Sequence, residues 1–316
     1  MSMPVRKNVA IVGATSHIAK GLIYNYARTR THDLVLFARS VERVKAFMAS
    51  IAHETIYPVR LLDDFFKGDY DVIINCIGIG QPARLKSAAA AIFRLTETYD
   101  NMVLDYLEKH PDAMYINFSS GAVYGKDFTV PASDETPAII NVNHLGPEDF
   151  YMIAKTNSEA KHRAYSSFNI VDLRVFAYFS RFIDLDSHYF VTELISCIKS
   201  GREFITTQDD MTRDFIHPED LFSLVGKCIE KEKLNDVFDV YSRKPVTKFE
   251  ILEFFKKEYK LQYVIKEDVK IITATGSKTN YYSNNRSAEQ INFQPIHTAL
   301  ENIVQESKIL LEKDRT

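Results

Sequence analysis

Residues 8–19 read NVAIVGATSHIA, and this stretch decides the fold. A short apolar run that ends at a glycine and continues into a helical pattern predicts a buried strand, a tight turn and a helix start. The first N–H groups of a helix have no partner inside it and attract anions. We therefore expect a phosphate-binding turn at Gly13, which supplies the bend, and at the residues that follow it: Thr15, Ser16, His17 and Ile18.

The same alternation of apolar runs and helical patterns continues through the first half of the chain. Apolar runs lie at 33–38, 71–78, 114–119 and 169–177, and helical patterns at 17–29, 41–52, 84–110 and 150–166. Strands that are apolar throughout and separated by helices predict a doubly wound parallel sheet of the Rossmann type, an α/β fold. We place a dinucleotide-binding domain at residues 1–175. Residues 176–316 are expected to form a smaller, mixed α/β substrate-binding region that partly returns to the sheet, and 126–148 a loop over the site.

Composition excludes several other classes of protein. The 316 residues are 46% hydrophobic and 26% charged, with a formal net charge of −3 and a pI near 6.3. This balance supports a large core and gives no electrostatic footprint for nucleic acid or an anionic membrane. We expect no membrane span, no signal peptide and a cytoplasmic location. The three cysteines are widely spaced, so neither a disulfide framework nor a metal site is expected.

The end of the second apolar run bears on cofactor choice. An acidic residue there binds the ribose hydroxyl of NAD, but this chain has Arg39 followed by Ser40, which suit the additional phosphate of NADP. The alternative is a solvent-exposed arginine at a helix start. Asp63 or Asp64 is expected to contact the adenine amine, or else to act as a helix cap.

A tyrosine and a lysine four residues apart indicate proton chemistry. Tyr151 and Lys155 in YMIAK fall on one face of a helix. An ammonium group beside a phenol favours the phenolate, which can exchange a proton with a substrate oxygen. Such a pair also occurs by chance on helix surfaces, so it needs further support.

That support comes from a resemblance that covers roughly residues 8–300. Residues 117–125 (NFSSGAVYG), the YMIAK helix and residues 213–221 (RDFIHPEDL) together resemble the extended short-chain dehydrogenase/reductases, a family of nucleotide-sugar epimerases, dehydratases and reductases. The resemblance implies that Ser120 takes the place of the catalytic serine, four residues before Tyr124. It also implies that Arg213 holds the diphosphate of a nucleotide sugar.

The resemblance implies a separate role for each of three residues at the site. Lys155 would bind the nicotinamide ribose, Ser120 would hydrogen-bond the substrate oxygen, and Tyr151 would shuttle the proton, so Ser120 and Tyr151 also count as substrate-binding residues. Gly78 and Phe179 are expected beside the cofactor. The chain departs from the family in two ways: RVFAYF at 174–179 lacks an asparagine common in sugar-nucleotide members, and Gly121 and Ala122 replace the Asp-Glu pair of dehydratases.

Three functions remain open at this point. The preferred one is an NADP(H)-dependent reductase that transfers hydride to the carbonyl of a nucleotide-linked keto sugar. The alternatives are an NAD-dependent nucleotide-sugar epimerase and a non-catalytic NADP-binding regulator. The family often dimerises through a four-helix bundle, which implies a homodimer through the helical stretches 84–110 and 150–166.

Cofactor selectivity gives the first testable prediction. We expect Arg39→Ala to weaken NADPH binding by roughly 1.5–3 kcal/mol and to leave NADH binding nearly unchanged, because only NADPH carries the phosphate that the guanidinium would bind. Titration calorimetry of both cofactors against wild type and variant measures this. Tight NAD binding that is indifferent to Arg39 would instead favour the epimerase.

Overall fold

A seven-stranded parallel sheet organises the protein. The computed structural model describes residues 6–51, 57–79, 90–266 and 278–312. The strand order is β3-β2-β1-β4-β5-β6-β11, and all six neighbouring pairs are parallel. The strands are β1 (Asn8–Val12), β2 (Asp33–Ala38), β3 (Val59–Leu61), β4 (Val72–Asn75), β5 (Met114–Ser120), β6 (Asn169–Val175) and β11 (Asn235–Val240). The predicted doubly wound Rossmann-type sheet is confirmed.

The alternation of side chains along the central strand β1 explains the two helical layers. Val9 and Ile11 point to one face of the sheet, and Ala10 and Val12 point to the other, each within a separate hydrophobic cluster. The helices are α1 (His17–Thr29), α2 (Val41–Ser50), α3 (Ala91–Leu107), α4 (Pro147–Ala164), α5 (Phe190–Ser200), α6 (Pro218–Ile229), α7 (Lys248–Tyr259) and α8 (Ala299–Glu312). Helices α1, α2 and α6 contribute to the first cluster, and α3 contributes to the second.

A second, smaller core lies beyond the sheet. Helices α5, α7 and α8 contribute Leu194, Phe255 and Ile303 to it, and each of these side chains is completely buried. The short strands outside the large sheet are β7 (Ala177–Tyr178), β8 (Phe204–Thr206), β9 (Thr212–Arg213), β10 (Phe215–Ile216), β12 (Val246–Thr247), β13 (Tyr263–Ile265) and β14 (Asn280–Tyr281), and β8, β10, β12 and β13 contribute residues to this core. Strand β11, which also lies after residue 176, pairs with β6 at the edge of the large sheet. The boundary between residues 175 and 176 remains a prediction.

Several element boundaries differ from those that the sequence predicts. Helix α4 begins at Pro147 instead of 150, because proline suits the first helical turn and the Asp149 carboxylate accepts a hydrogen bond from the Gly146 N–H at 2.9 Å. The expected strand 169–177 ends at Val175, and the chain then leaves the sheet to pair β7 with β10. The expected helix 84–110 is seen as Ala91–Leu107, and residues 80–89 lie outside the described part.

A buried charged cluster joins α3 and α4 to the sheet. His162 on α4 is fully buried, and its two ring nitrogens contact Asp100 on α3 at 2.7 Å and Asp172 on β6 at 2.8 Å. Burial alone would lower the pKa of His162, but hydrogen bonds to the two carboxylates outweigh it and raise the pKa to about 9. His162 is therefore a cation at neutral pH. Lys161 and Arg163 complete the cluster by contacting Asp100 and Asp172 respectively.

This cluster predicts a loss of stability at alkaline pH. Since the pKa of His162 rises from its ordinary 6.5 to about 9 on folding, its contribution is complete below pH 6.5 and is lost as pH rises through 9. The free energy of unfolding should fall over this window by about 3 kcal/mol in total. Urea unfolding at pH 6, 7, 8 and 9 measures the slope. His162→Gln should flatten it, and a direct NMR titration that finds the wild-type imidazole neutral at pH 7 would contradict the assignment.

Candidate active site

The turn after β1 has the geometry of a phosphate cradle. Gly13 has a φ of 82°, and a Cβ on it would lie 2.8 Å from Cγ1 of Ile77 and 3.0 Å from the backbone of Cys76. Only glycine fits this conformation and this close approach of two strand ends. Thr15 and Ile18 lie half-buried in the same segment. The turn lies at the carboxyl edge of the sheet, where β1 and β4 are neighbours but the strand order reverses. The N–H groups of Gly13 and Ala14 both donate to the carbonyl of Phe37 at the end of β2, which fixes the turn in place.

The side chains at the start of α1 already contact other groups of the protein. Ser16 caps α1, because its hydroxyl accepts from the Ala19 N–H at 3.2 Å. The His17 Nε2 lies 2.7 Å from the Ser180 hydroxyl, and its ring packs on Tyr178. Burial lowers the pKa of His17 to about 3, so the ring is neutral. A phosphate at this helix start would therefore be held by backbone N–H groups and the helix dipole, not by an imidazolium.

Three cations lie on the elements around the end of β2. Arg39 is exposed and forms no side-chain hydrogen bond or ion pair with another described residue, while Ser40 caps α2 by accepting from the Arg43 N–H at 3.3 Å. Lys20 on α1 has its pKa lowered, first by burial and then by the charge of Arg43, so these two side chains are close. Sequence reasoning found Arg39 and missed Lys20 and Arg43, because their proximity depends on how α1 and α2 pack.

The remaining predicted cofactor residues divide into two groups. Asp63 is exposed near the start of a short 3₁₀ helix (Leu62–Lys67) that follows β3, and it caps nothing, whereas Asp64 pairs with Lys67 at 2.6 Å. Gly78 is exposed beyond β4, with open space where a Cβ would point. Asp63 and Gly78 therefore remain candidates for contact with the cofactor. The Phe179 ring, by contrast, is buried in the second core with 1% exposure, and its place beside the cofactor stays a prediction.

Ser120 ends β5 and faces an unexpected partner. Its Oγ lies 3.3 Å from the hydroxyl of Tyr281 on β14 and accepts from the Ala122 N–H at 3.2 Å. Burial and the neighbouring Tyr151 raise the pKa of Tyr281, so Tyr281 is neutral and can donate a hydrogen bond. Nothing in the sequence indicates this contact, because the two residues are 161 positions apart and β14 has only two residues.

Tyr151 and Lys155 lie on one face of α4, as the spacing predicts. Lys155 is buried, and its Nζ donates to the carbonyl oxygen of Phe118 on β5 at 2.7 Å. Tyr151, one turn earlier, is half-buried. Burial first, and then the nearby Tyr151, raise the pKa of Tyr281 and of Tyr189. The structure thus brings Ser120, Tyr151 and Lys155 to the same end of the sheet.

A second set of buried contacts holds this part of α4 in place. The Glu159 carboxylate accepts from the Ser119 hydroxyl at 2.5 Å and from Nη2 of Arg174 at 2.6 Å. Arg174 also donates to the Tyr124 hydroxyl at 2.9 Å, which donates to Asp239 at 2.7 Å. Such charge-assisted bonds are short and directional. They position the residues next to Ser120 without reaching the site themselves.

Arg213 and Lys278 add positive charge around Tyr281. Arg213 donates to two backbone carbonyls, those of Thr212 at 2.8 Å and Thr279 at 3.3 Å, and burial lowers its pKa to about 10. The Lys278 side chain is buried, and its Nζ lies 4.3 Å from the centroid of the Tyr281 ring. The predicted Arg213 is therefore found next to Ser120's partner, and Lys278 is a residue that sequence reasoning missed.

A family model matches most of the chain. The model of the NAD dependent epimerase/dehydratase family matches residues 9–242, which is most of the chain. The chain belongs to this family. The expected resemblance is thereby confirmed, and the protein is an NAD(P)-dependent enzyme. No curated protein matches the sequence.

Solved structures agree on the fold. A UDP-glucose 4-epimerase of Thermotoga maritima in complex with UDP-glucose has a TM-score of 0.79 at 14% identity, covering 97% of this chain and 99% of that one. A UDP-glucuronic acid 4-epimerase of Bacillus cereus with UDP-glucuronic acid and NAD has a TM-score of 0.76 at 16% identity, covering 98% and 100%. A dTDP-glucose 4,6-dehydratase of Bacillus anthracis with NAD has a TM-score of 0.75 at 15% identity, covering 97% and 96%.

The turn at Gly13 gives a prediction about the affinity for the cofactor. Gly13→Ala should lower affinity for NAD and NADP alike by at least tenfold, because a methyl group is strained at this φ and would push the ends of β1 and β4 apart. Cofactor titration followed by fluorescence measures this. Gly201→Ala, at another positive-φ glycine with open space around it, is the matched control: it should show the backbone strain in thermal stability but keep cofactor affinity.

Proposed function

We propose that this enzyme epimerises a nucleotide-linked sugar by transient oxidation of one ring hydroxyl. The observation that carries the proposal is the placement of Ser120, Tyr151 and Lys155, from β5 and α4, at the same carboxyl edge of the sheet as the turn at Gly13. The similar structures support it, because several are epimerases solved with NAD and a UDP-sugar. This reverses the order that the sequence suggested, in which a net reductase came first.

The residues present fit a nicotinamide dinucleotide. The glycine turn and the start of α1 would hold the pyrophosphate, and Asp63 the adenine end. Gly78 leaves open space at the end of β4. Lys155, already fixed by the Phe118 carbonyl, would donate its remaining protons to the ribose next to the nicotinamide. Bound there, the cofactor would accept a hydride from the sugar and return it.

The chain's own residues supply the proton chemistry. Tyr151 takes the proton of the reacting hydroxyl while the Lys155 ammonium stabilises the phenolate, and it returns the proton when the ring is reduced. The Ser120 hydroxyl donates to the same substrate oxygen and stabilises the charge that develops on it. Tyr281 orients Ser120 through the contact between their hydroxyl groups.

A dehydratase activity is disfavoured by the packing behind Ser120. A Cβ on Gly121 would lie 2.4 Å from the Phe176 ring, so this position has no room for the acidic side chain that dehydratases carry there. The structural similarity to a dehydratase therefore concerns the fold, and elimination of water is not part of the proposal.

A net NADP(H)-dependent reductase of a keto-sugar nucleotide is the second candidate. The observation that favours it is the group of cations Lys20, Arg39 and Arg43 around the end of β2, which suits the 2′-phosphate of NADP. If NADPH is the cofactor, Arg43→Ala should weaken its binding as Arg39→Ala does. A reductase would consume NADPH stoichiometrically, whereas an epimerase shows no net change in cofactor.

The proposed reaction has a direct test. Protein supplied with NAD is incubated with UDP-glucose or UDP-galactose, and interconversion is followed by NMR together with the absorbance of reduced cofactor. Tyr151→Phe should lower turnover by about 10²–10⁴-fold, because the proton acceptor is lost. Tyr165→Phe, at the end of the same helix, is the control and should keep full activity. The same assay with NADPH and keto-sugar nucleotides tests the reductase.

We also propose that the protein is a cytoplasmic homodimer that pairs through α3 and α4, which pack against each other. A four-helix interface would bury the outer faces of both helices. Light scattering on the purified protein should give about twice the mass of 36.3 kDa. A monomeric mass would remove this part of the proposal. Among the described residues, no helix combines the length and apolar character that a membrane crossing requires.

A further inference from the structure

A buried carboxylate at the start of α4 is bound from two directions. Asp149 is 7% exposed, whereas every residue from 137 to 145 in the preceding loop is exposed. Its Oδ1 lies 2.6 Å from Nζ of Lys126, and its Oδ2 accepts from the Gly146 N–H at 2.9 Å. One carboxylate therefore bonds to the backbone at the helix start and also forms an ion pair with the residue at the other end of the loop.

Both members of this ion pair carry their charge at neutral pH. The hydrogen bond from Lys126 and then that from the Gly146 backbone lower the pKa of Asp149, and the hydrogen bond to Asp149 raises the pKa of Lys126. The carboxylate side chain is only 9% exposed, although that of Lys126 is half-exposed. Salt therefore screens this pair less than it screens a pair on the open surface.

The ion pair joins the two segments that carry the hydroxyl groups of the site. Lys126 follows Ser120 by six residues, and the chain between them forms a buried 3₁₀ helix (Gly121–Tyr124). Asp149 precedes Tyr151 by two residues on α4. A contact between Lys126 and Asp149 thus relates the end of β5 to the turn of helix that holds Tyr151.

The first turn of α4 has more need of such a contact than the middle of the helix. The middle is tied to β5 by Lys155, which donates to the Phe118 carbonyl, and by Glu159, which accepts from the Ser119 hydroxyl. The first N–H groups of a helix have no acceptor within it, and helix ends fray. The loop segment 137–145 has no buried side chain that could hold the first turn in place.

We propose that the Lys126–Asp149 ion pair is a clamp that positions Tyr151 relative to the end of β5. The inference rests on the proposed function, in which Tyr151 exchanges the proton. The ring of Phe150 packs on Phe93 at 5.6 Å between centroids, which relates the first turn to α3, and the clamp relates it to β5. Because the clamp closes the base of the loop, the loop can rearrange around a substrate without changing the separation of the reacting groups.

Steady-state kinetics of matched variants test the clamp. Lys126→Met removes the charge at similar length, and Asp149→Asn removes the ion pair but keeps an oxygen that can accept from Gly146. Each should lower kcat by about 10- to 100-fold and leave KM and cofactor affinity within about twofold, because a displaced proton acceptor slows the chemical step and not binding. Lys126→Arg should restore most of kcat. Lys227→Met, which breaks a surface pair with Glu230 at 2.9 Å, is the control and should keep full kcat.

A double-mutant cycle separates the clamp from a direct contact between Lys126 and the substrate. Lys126→Met and Asp149→Asn break the same contact, so the double variant should lose no more of kcat than the weaker of the two single variants retains. If Lys126 instead bound the substrate, Lys126→Met would raise KM and Asp149→Asn would not. That result, effects on kcat that multiply, or unchanged kcat in both single variants overturns the inference.

Hydrogen exchange distinguishes failure of the clamp from failure of the proposed reaction. Exchange in residues 147–155 is measured by mass spectrometry without substrate for wild type, Lys126→Met and Asp149→Asn. Faster exchange there in both variants, with residues 156–164 unchanged, supports the clamp even where wild type neither epimerises nor reduces a sugar and the proposed reaction is wrong. If Tyr151→Phe abolishes turnover while both clamp variants keep wild-type kcat and wild-type exchange, the reaction stands and the clamp is wrong. Thermal unfolding of each variant confirms that folded protein is compared.

Discussion

The packing of α4 against the sheet determines where the residues of the candidate site lie. Two buried contacts made by this helix hold it there: His162 between Asp100 and Asp172, and Glu159 with Arg174. Breaking one partner of such a buried pair leaves an uncompensated charge, which is far more costly than losing a surface ion pair. The helix is thus locked in one position, and the Lys155 ammonium reaches the Phe118 carbonyl beside Ser120.

The two ends of the site are built by different physical means. At the cofactor end, backbone geometry dominates: Gly13 bends the chain, and the start of α1 presents N–H groups whose orientation requires no particular side chain. At the substrate end, side chains from distant segments dominate. Ser120 comes from β5, Arg213 from β9 and Tyr281 from β14, so these side chains meet only when the distant segments that carry them have packed together.

The cations that hold α4 on the sheet differ from the cations of the candidate site in whether a carboxylate pairs with them. The buried cations that support α4 are matched by carboxylates, whereas Arg213 and Lys278 at the substrate end, and Arg39 at the cofactor end, have no such partner among the described residues. Pairing stabilises the fold, while unpaired cations remain free to bind an anionic ligand. The distinction follows from hydrogen-bond partners, and it cannot be read from composition, since the net charge is only −3.

The sequence by itself determined the sheet, the glycine turn and the one-face pairing of Tyr151 with Lys155, because these depend on short-range periodicity and on the backbone freedom of one residue. It also indicated Ser120 and Arg213 through family motifs. Only the tertiary structure decided that the ring of Phe179 turns into the second core, that Lys20 and Arg43 lie close together, and that Tyr281 and Lys278 reach the site. These contacts join segments up to 161 residues apart, and no local pattern encodes which side chains meet when separate elements pack.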